Sequence, residues 1–149
     1  MTVMGVSRFE RFFRLAASLN VDKDDLKRHS DFVSEKLYDL LIAGQATASA
    51  NRRDILQPQD LPITKGLQES IHAFRKLDED VELEPILAQL ATWPPLDVTL
   101  SEETEARLPE VVGGLSFALA RTMKIIDPDV KNPQTVHWER AFRIFGLLL

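Results

Sequence analysis

The side chains that could carry out chemistry in this sequence are few and poorly spaced for it. Histidine occurs only at His29, His72 and His137, so no pair has the i, i+4 spacing that sets two imidazoles on one helical face, and there is no His-Glu-x-x-His segment. There is no cysteine, which removes a thiolate nucleophile, a zinc finger and a disulfide framework together. Carboxylates cluster at Asp22, Asp24 and Asp25, between Asp78 and Glu84, and at Glu102, Glu103 and Glu105. Paired carboxylates do acid–base work only where an apolar or like-charged pocket pulls their proton affinities apart. These groups fall at expected helix starts, where the helix dipole favours negative charge, or in a polar connection. No EF-hand loop, Gly-rich phosphate cradle or G-x-S-x-G elbow is present. The expectation is a non-enzymatic protein with no catalytic residue, no metal site and no cofactor.

The remaining signal is basic. Arg8, Arg11 and Arg14 are grouped near the start, and Arg52 and Arg53 are adjacent, with Lys23 and Lys65 nearby in sequence. Residues 1–77 hold 12 basic and 10 acidic side chains, for +2, whereas residues 78–149 hold 6 basic and 13 acidic, for −7. A protein that coats DNA neutralises many phosphates through a basic surface, and only the first half has one to offer. The plainer alternative is that Arg8, Arg11 and Arg14 form the solvated face of an amphipathic helix.

The elements that must position these residues read as helices. Ser7 and Glu10 have capping-box spacing, and Phe9, Phe12, Phe13 and Ala16 repeat at i, i+3, i+4, i+7. A second, long helix is expected over Asp22–Arg53, with a seam of Leu26, Val33, Leu37, Leu40, Gly44, Thr47 and Asn51. Pro58 marks a connection, and a third helix is expected from about Asp60 to Leu77, with Pro62 in its first turn. The acidic stretch 78–84 reads as a linker. A short helix over about Leu83–Trp93, stopped by Pro94-Pro95, comes next, and then an extended stretch at Leu96–Leu100. Ser101 caps another long helix with Val111, Leu115, Ala118, Leu119, Thr122 and Ile126 on its seam; His137 falls in the loop before a short final helix that carries Trp138. No uncharged run approaches the ~18 residues of a membrane span, and the expected compartment is the cytoplasm.

Two short–long–short triplets resemble the histone fold. Residues 9–61, with Arg11-Phe12-Phe13-Arg14, Val21-Asp22 and the long span after it, resemble an archaeal histone from its first helix into its third. The stretch Tyr38–Thr64, with Gly44-Gln45-Ala46-Thr47-Ala48 and Asn51-Arg52-Arg53-Asp54, is similar to a small uncharacterised bacterial family in which two histone folds are fused in one chain. The resemblance implies an all-α intramolecular pseudodimer: a first unit over 1–77, an acidic linker over 78–84 and a second unit over 85–149. It implies that the long helices cross and that Arg53 and Asp60 form the structural clip of the second loop. A close crossing needs small side chains, which Ala43, Gly44, Ala46, Ala48, Gly113 and Gly114 offer; the alternative for Gly113-Gly114 is a helix break helped by Pro109. It implies duplex DNA as a partner, bound weakly and without sequence preference through Arg11, Arg14 and Arg53, with Arg8 and Arg52 near enough in sequence to add charge, and a nucleoid location in that case. Asn20, Asp54 and Ile55 depart from the histone pattern, as do Asn132 or Pro133 and Glu139 or Arg140 in the second half. The alternative is a protein-interaction module, binding a protein partner or itself, that has lost DNA binding.

Overall fold

Three phenylalanines anchor the chain's first element. Phe9, Phe12 and Phe13 are fully buried in helix α1 (Val3–Ala17), in a computed structural model that describes residues 3–149. Residues 1 and 2 of the expected first unit lie outside the described residues. Helix α1 begins at least a turn before Ser7, so the Ser7–Glu10 capping box is not its start. The helix ends where Ser18 turns left-handed and its N–H returns to the Arg14 carbonyl at 2.8 Å.

Asp22 then caps α2 (Lys23–Ala50) through a reciprocal box with Asp25, at 2.9 and 3.0 Å. Helix α2 stops at Ala50, three residues before the expected end, because Arg52 adopts a left-handed conformation. The connection contains a two-residue strand, β1 (Ile55–Leu56), and a 3-10 turn at Pro58–Asp60. Helix α3 (Lys65–Val81) starts later than expected, since Thr64 rather than a residue near Asp60 caps it, its hydroxyl accepting from the Leu67 N–H at 3.1 Å. Pro62 therefore precedes the helix. The short α4 (Glu84–Leu90), β2 (Thr99–Leu100), α5 (Glu102–Ile126, capped by Ser101) and α6 (Thr135–Leu148) complete the order. His137 lies in the first turn of α6, not in the preceding loop.

The acidic linker is a correction. Asp78, Glu79 and Asp80 belong to α3, and the chain turns within residues 82–83. The reason is local: Val81 and Leu83 are buried and pin the turn, while the Asp78 carboxylate accepts from the N–H groups of Leu83 (2.5 Å) and Glu84 (3.2 Å). The acidity reflects capping rather than a mobile tether.

Loops from the two halves of the chain pair reciprocally. Strands β1 and β2 are parallel, Ile55 opposite Thr99 and Leu56 opposite Leu100. Elsewhere the Asn20 N–H donates to the Lys131 carbonyl at 2.7 Å. Asn20 and Thr99 each lie two residues before a helix N-cap, so the two pairings are counterparts.

Helix α5 is the centre of the packing. All six residues from Val111 to Ser116 are buried, and the helix touches α1, α2, α3, α4 and α6. Its glycines do not serve a crossing of the two long helices, contrary to expectation. A Cβ on Gly113 would collide with the Phe74 ring, and one on Gly114 would collide with the Ile71 side chain and lie 3.0 Å from the Ile71 backbone nitrogen. The pair admits α3. In α2, Gly44 faces Leu56 and the Asp60 carbonyl, while Ala43 and Ala46 are exposed. The two long helices meet instead through a buried polar contact, His29 Nε2 to Ser116 Oγ at 2.7 Å. Ser116 donates its own proton to the Val112 carbonyl, so the imidazole carries its proton on Nε2. The other ring nitrogen, Nδ1, has no partner, and the edges and faces of Phe9 and Phe13 surround the ring.

Two expectations follow. Gly114→Ala should destabilise the fold by about 1–3 kcal/mol, because a clash with the base of the Ile71 side chain, hemmed in by the Ile71 backbone, outweighs the ~1 kcal/mol gain in helix propensity; Gly146→Ala, in open space on α6, should be neutral or stabilising for the fold of the single chain. Denaturant titration of both variants checks the pair. Burial pushes His29 down to about 3 from its ordinary 6.5. Protonation therefore favours the unfolded chain between those values. Stability should be full above pH 6.5 and fall on acidification by up to ~1.4 kcal/mol per pH unit until about pH 3. A His29→Leu variant should show a flatter profile over the same range.

Candidate nucleic-acid interface

A phosphate-binding surface needs guanidinium groups that face water with their charge uncompensated. Helix α1 carries Arg8, Arg11 and Arg14 on the side away from its phenylalanines. Two of the three turn back onto the protein. Arg8 donates to the Glu82 carbonyl at 3.1 Å and Arg11 to the Asp80 carbonyl at 3.2 Å. Those carbonyls belong to the C-terminal end of α3, where unpaired acceptors and the negative end of the dipole attract cations. Asp78, Glu79 and Asp80 occupy the same end of the helix. The arginines thus act as C-caps within an acidic neighbourhood. The Arg14 side chain is exposed.

Arg53 is also engaged. Its Nη1 and Nη2 grip the Asp60 carboxylate at 2.6 Å each, and Nη1 reaches the Ile55 carbonyl at 3.3 Å. Asp60 is buried and also accepts from the Gln57 N–H at 2.8 Å. The hydrogen bonds from Arg53 are the main cause that holds the Asp60 carboxyl below its ordinary value. The guanidinium side of the pair remains about one-third exposed. This clip ties the start of the α2–α3 connection to its 3-10 turn. The second half carries a clip of reversed polarity. Asp127, just past α5, accepts from His137 Nε2 at 3.0 Å, and His137 Nδ1 accepts from the Gln134 N–H at 2.9 Å. That bond from His137 is the largest reason that Asp127 is held low. Sequence comparison of the two halves misses this clip because acid and base have exchanged places.

The five arginines do not form one surface. Arg8 and Arg11 belong to the α1–α3 corner, Arg53 to its clip, and Arg52 to an exposed left-handed turn. Near Arg52, the paired strand β2 leads into Glu102, Glu103 and Glu105 at the start of α5. Beside the loop pairing at Asn20 and Lys131, a groove brings Asp22, Asp24 and Asp25 together with a single cation, Arg28.

Sequence reasoning also missed two polar anchors. Trp138 Nε1 donates to the buried Asp25 carboxylate at 2.8 Å, joining α6 to the α2 cap. Burial raises the Asp25 carboxyl, against the bonds from Asp22 and Trp138 that lower it. Arg75 makes a two-pronged contact with Glu110, at 2.6 and 2.8 Å, across the α3–α5 seam. Their partners lie 113 and 35 residues apart in sequence, so no local spacing announces them. Among the described residues no group of three or more His, Asp or Glu side chains is arranged to hold a metal ion, and no helix is long and apolar enough to cross a membrane.

The architecture is that of an all-α protein: six helices, with a single two-stranded parallel bridge joining the halves among the described residues. The chain belongs to the family described as Domain of unknown function (DUF1931), which matches residues 9–146. Two proteins of Aquifex aeolicus (strain VF5), each named only as an uncharacterized protein, are similar to it. One is 30% identical over 141 residues, covering 86% of this chain and 82% of that protein. The other is 25% identical over 120 residues, covering 80% and 70%. A crystal structure of a protein from Thermus thermophilus shares 53% identity with a TM-score of 0.86 over 97% of both chains. A crystal structure of an Aquifex aeolicus protein, 22% identical, has the same fold at a TM-score of 0.85 over 100% of both.

Removing the clip tests its structural role. Asp60→Ala leaves the Gln57 N–H and the Arg53 guanidinium without their acceptor, so the melting temperature should fall by several degrees. The contribution of Asp60 is complete above its unfolded pKa of 3.8 and disappears as pH falls below it, because its folded value is the lower one. The difference in melting temperature between parent and variant should therefore shrink toward zero at low pH.

Proposed function

We propose that the chain is a pair of histone folds clasped as an intramolecular pseudodimer, and that it acts as a non-enzymatic protein-interaction module rather than as a DNA-coating protein. The reciprocal loop pairing supports the pseudodimer: each half offers the loop before its long helix to the loop after the long helix of the other half. One observation carries the functional reading. Of the candidate arginines, Arg8 and Arg11 donate to carbonyls at the end of α3 and Arg53 grips Asp60. A guanidinium that already donates to the carbonyls of a helix end gains less from a phosphate.

The weak duplex contact implied by the resemblance falls to Arg14 and Arg52, which are exposed. They belong to different elements and do not make a continuous strip for a DNA backbone.

Fluorescence anisotropy with a labelled duplex, at low and at physiological salt, tests this. The expected result is no binding at physiological salt and, at low salt, a shallow slope of about −0.9 for each of one or two phosphates neutralised. Salt-resistant binding that Arg8→Ala, Arg11→Ala and Arg14→Ala together abolish would overturn the reading in favour of a DNA-binding protein.

A further inference from the structure

The outer face of α6 is unlike the solvent face of an ordinary surface helix. Val136, Arg140, Ile144 and Leu148 follow one another at steps of four, and Arg143 and Leu147 form the adjoining row. All six are exposed, Leu147 by 87% and Leu148 by 73%. Glu139, also exposed, stands four residues before Arg143, so the face carries two arginines against one carboxylate among its apolar side chains, which suits it to an apolar surface edged with negative charge.

The chain has such a surface. A groove of about 1020 Å³ lies between α2, the segment after α4 and the last turn of α6. Its floor includes Ile42, Ala46, Trp93 and Pro94, and Glu35 and Asp39 lie along it. Asp31, Glu35 and Asp39 stand at successive steps of four on α2, and all three are exposed. Like charges at that spacing repel one another. Lys36 relieves Asp39 at 3.3 Å and Lys27 stands four residues before Asp31, which leaves Glu35 as the member of the row with no cation at that spacing on α2. The end wall of the groove includes Gly146 and Leu149. Gly146 is a glycine inside a helix with nothing within 4 Å of its Cβ position among the described residues, so no contact among them accounts for it. A glycine there lets a neighbouring molecule approach the helix backbone closely.

We propose that a second copy of this chain fills the groove: α6 of each protomer lies in the groove of the other, with Arg140 and Arg143 against the acidic row of α2 and Leu147 and Ile144 over the Trp93–Pro94 floor. The helix and the groove adjoin within one chain, so a two-fold axis near Gly146 serves both contacts at once and the assembly closes as a dimer. Packing α6 against α6 alone would instead bring arginines together. This assignment rests on the interaction-module reading and names its partner.

Sedimentation equilibrium of the full chain over a wide concentration range is the test, with the duplex titration run on the same preparation. The expected result is a dimer that dissociates on dilution. Arg140→Glu with Arg143→Glu should weaken it at least about tenfold, because like charges then face each other across the contact. Adding Glu35→Arg and Asp39→Arg to that variant should restore it. Gly146→Leu, built into open space, should remove the dimer while leaving the helical circular dichroism and the melt of the monomer unchanged. A chain that remains monomeric at high micromolar concentration overturns the dimer but leaves the interaction-module reading standing, and salt-resistant duplex binding overturns that reading whatever the oligomeric state. A dimer indifferent to both the arginine and the Gly146 variants lies on another face and also overturns the assignment.

Discussion

The approach of α3 to α5 is the contact on which the rest of the molecule rests. Helix α5 is buried on every side over Val111–Ser116, so each neighbour has to be seated against it without a gap. Against Gly113 and Gly114 the Phe74 ring and the Ile71 side chain come closer than any side chain at those positions would permit. Arg75 and Glu110 close the edge of the same seam. A pair of glycines inside a helix costs about 2 kcal/mol of propensity, and the close packing offsets that cost. Once α3 is seated, its C-terminal end stands within reach of Arg8 and Arg11, and α1 is fixed in turn.

Much of the secondary structure is legible in the sequence because its causes are local. The Asp22 and Ser101 caps and the apolar seams follow from neighbours within a few residues. The misplaced ends of α1, α2 and α3 are local errors, whereas the larger ones come from partners that are distant in sequence. Val81 and Leu83 make a helix end and a turn of the expected linker because a core is there to receive them. The glycines do mark a close approach, but composition does not say which helix approaches. Of the candidate site, the Arg53–Asp60 clip is legible from a seven-residue spacing. The commitment of Arg8 and Arg11 is not, because their acceptors are backbone carbonyls more than sixty residues away, and a carbonyl has no residue type to recognise.

Charge shows the same contrast between tally and arrangement. The second half is strongly acidic as a sum, yet 10 of its 13 acidic residues precede residue 119, and the remainder of the chain holds 5 basic against 3 acidic side chains. The basic end coincides with the last turns of α5 and all of α6, where exposed isoleucine and leucine also collect. Net charge over a half therefore conceals a local surface of the opposite sign, because side chains interact over distances of about a Debye length and not over halves of a chain.

The reciprocal loop pairing also dictates an order of events during synthesis. The N–H of Asn20 finds its acceptor only at Lys131, and β1 finds its strand only at Thr99–Leu100. At ~5–20 residues per second, the ribosome takes several seconds to deliver those partners after the first half has emerged. Through that interval the seam of α2, with Phe32, Val33, Leu37 and Leu40, has no α5 or α6 to cover it. The nascent chain thus presents a long apolar stripe that only its own unfinished end can bury, and it is in this window that chaperones would meet it.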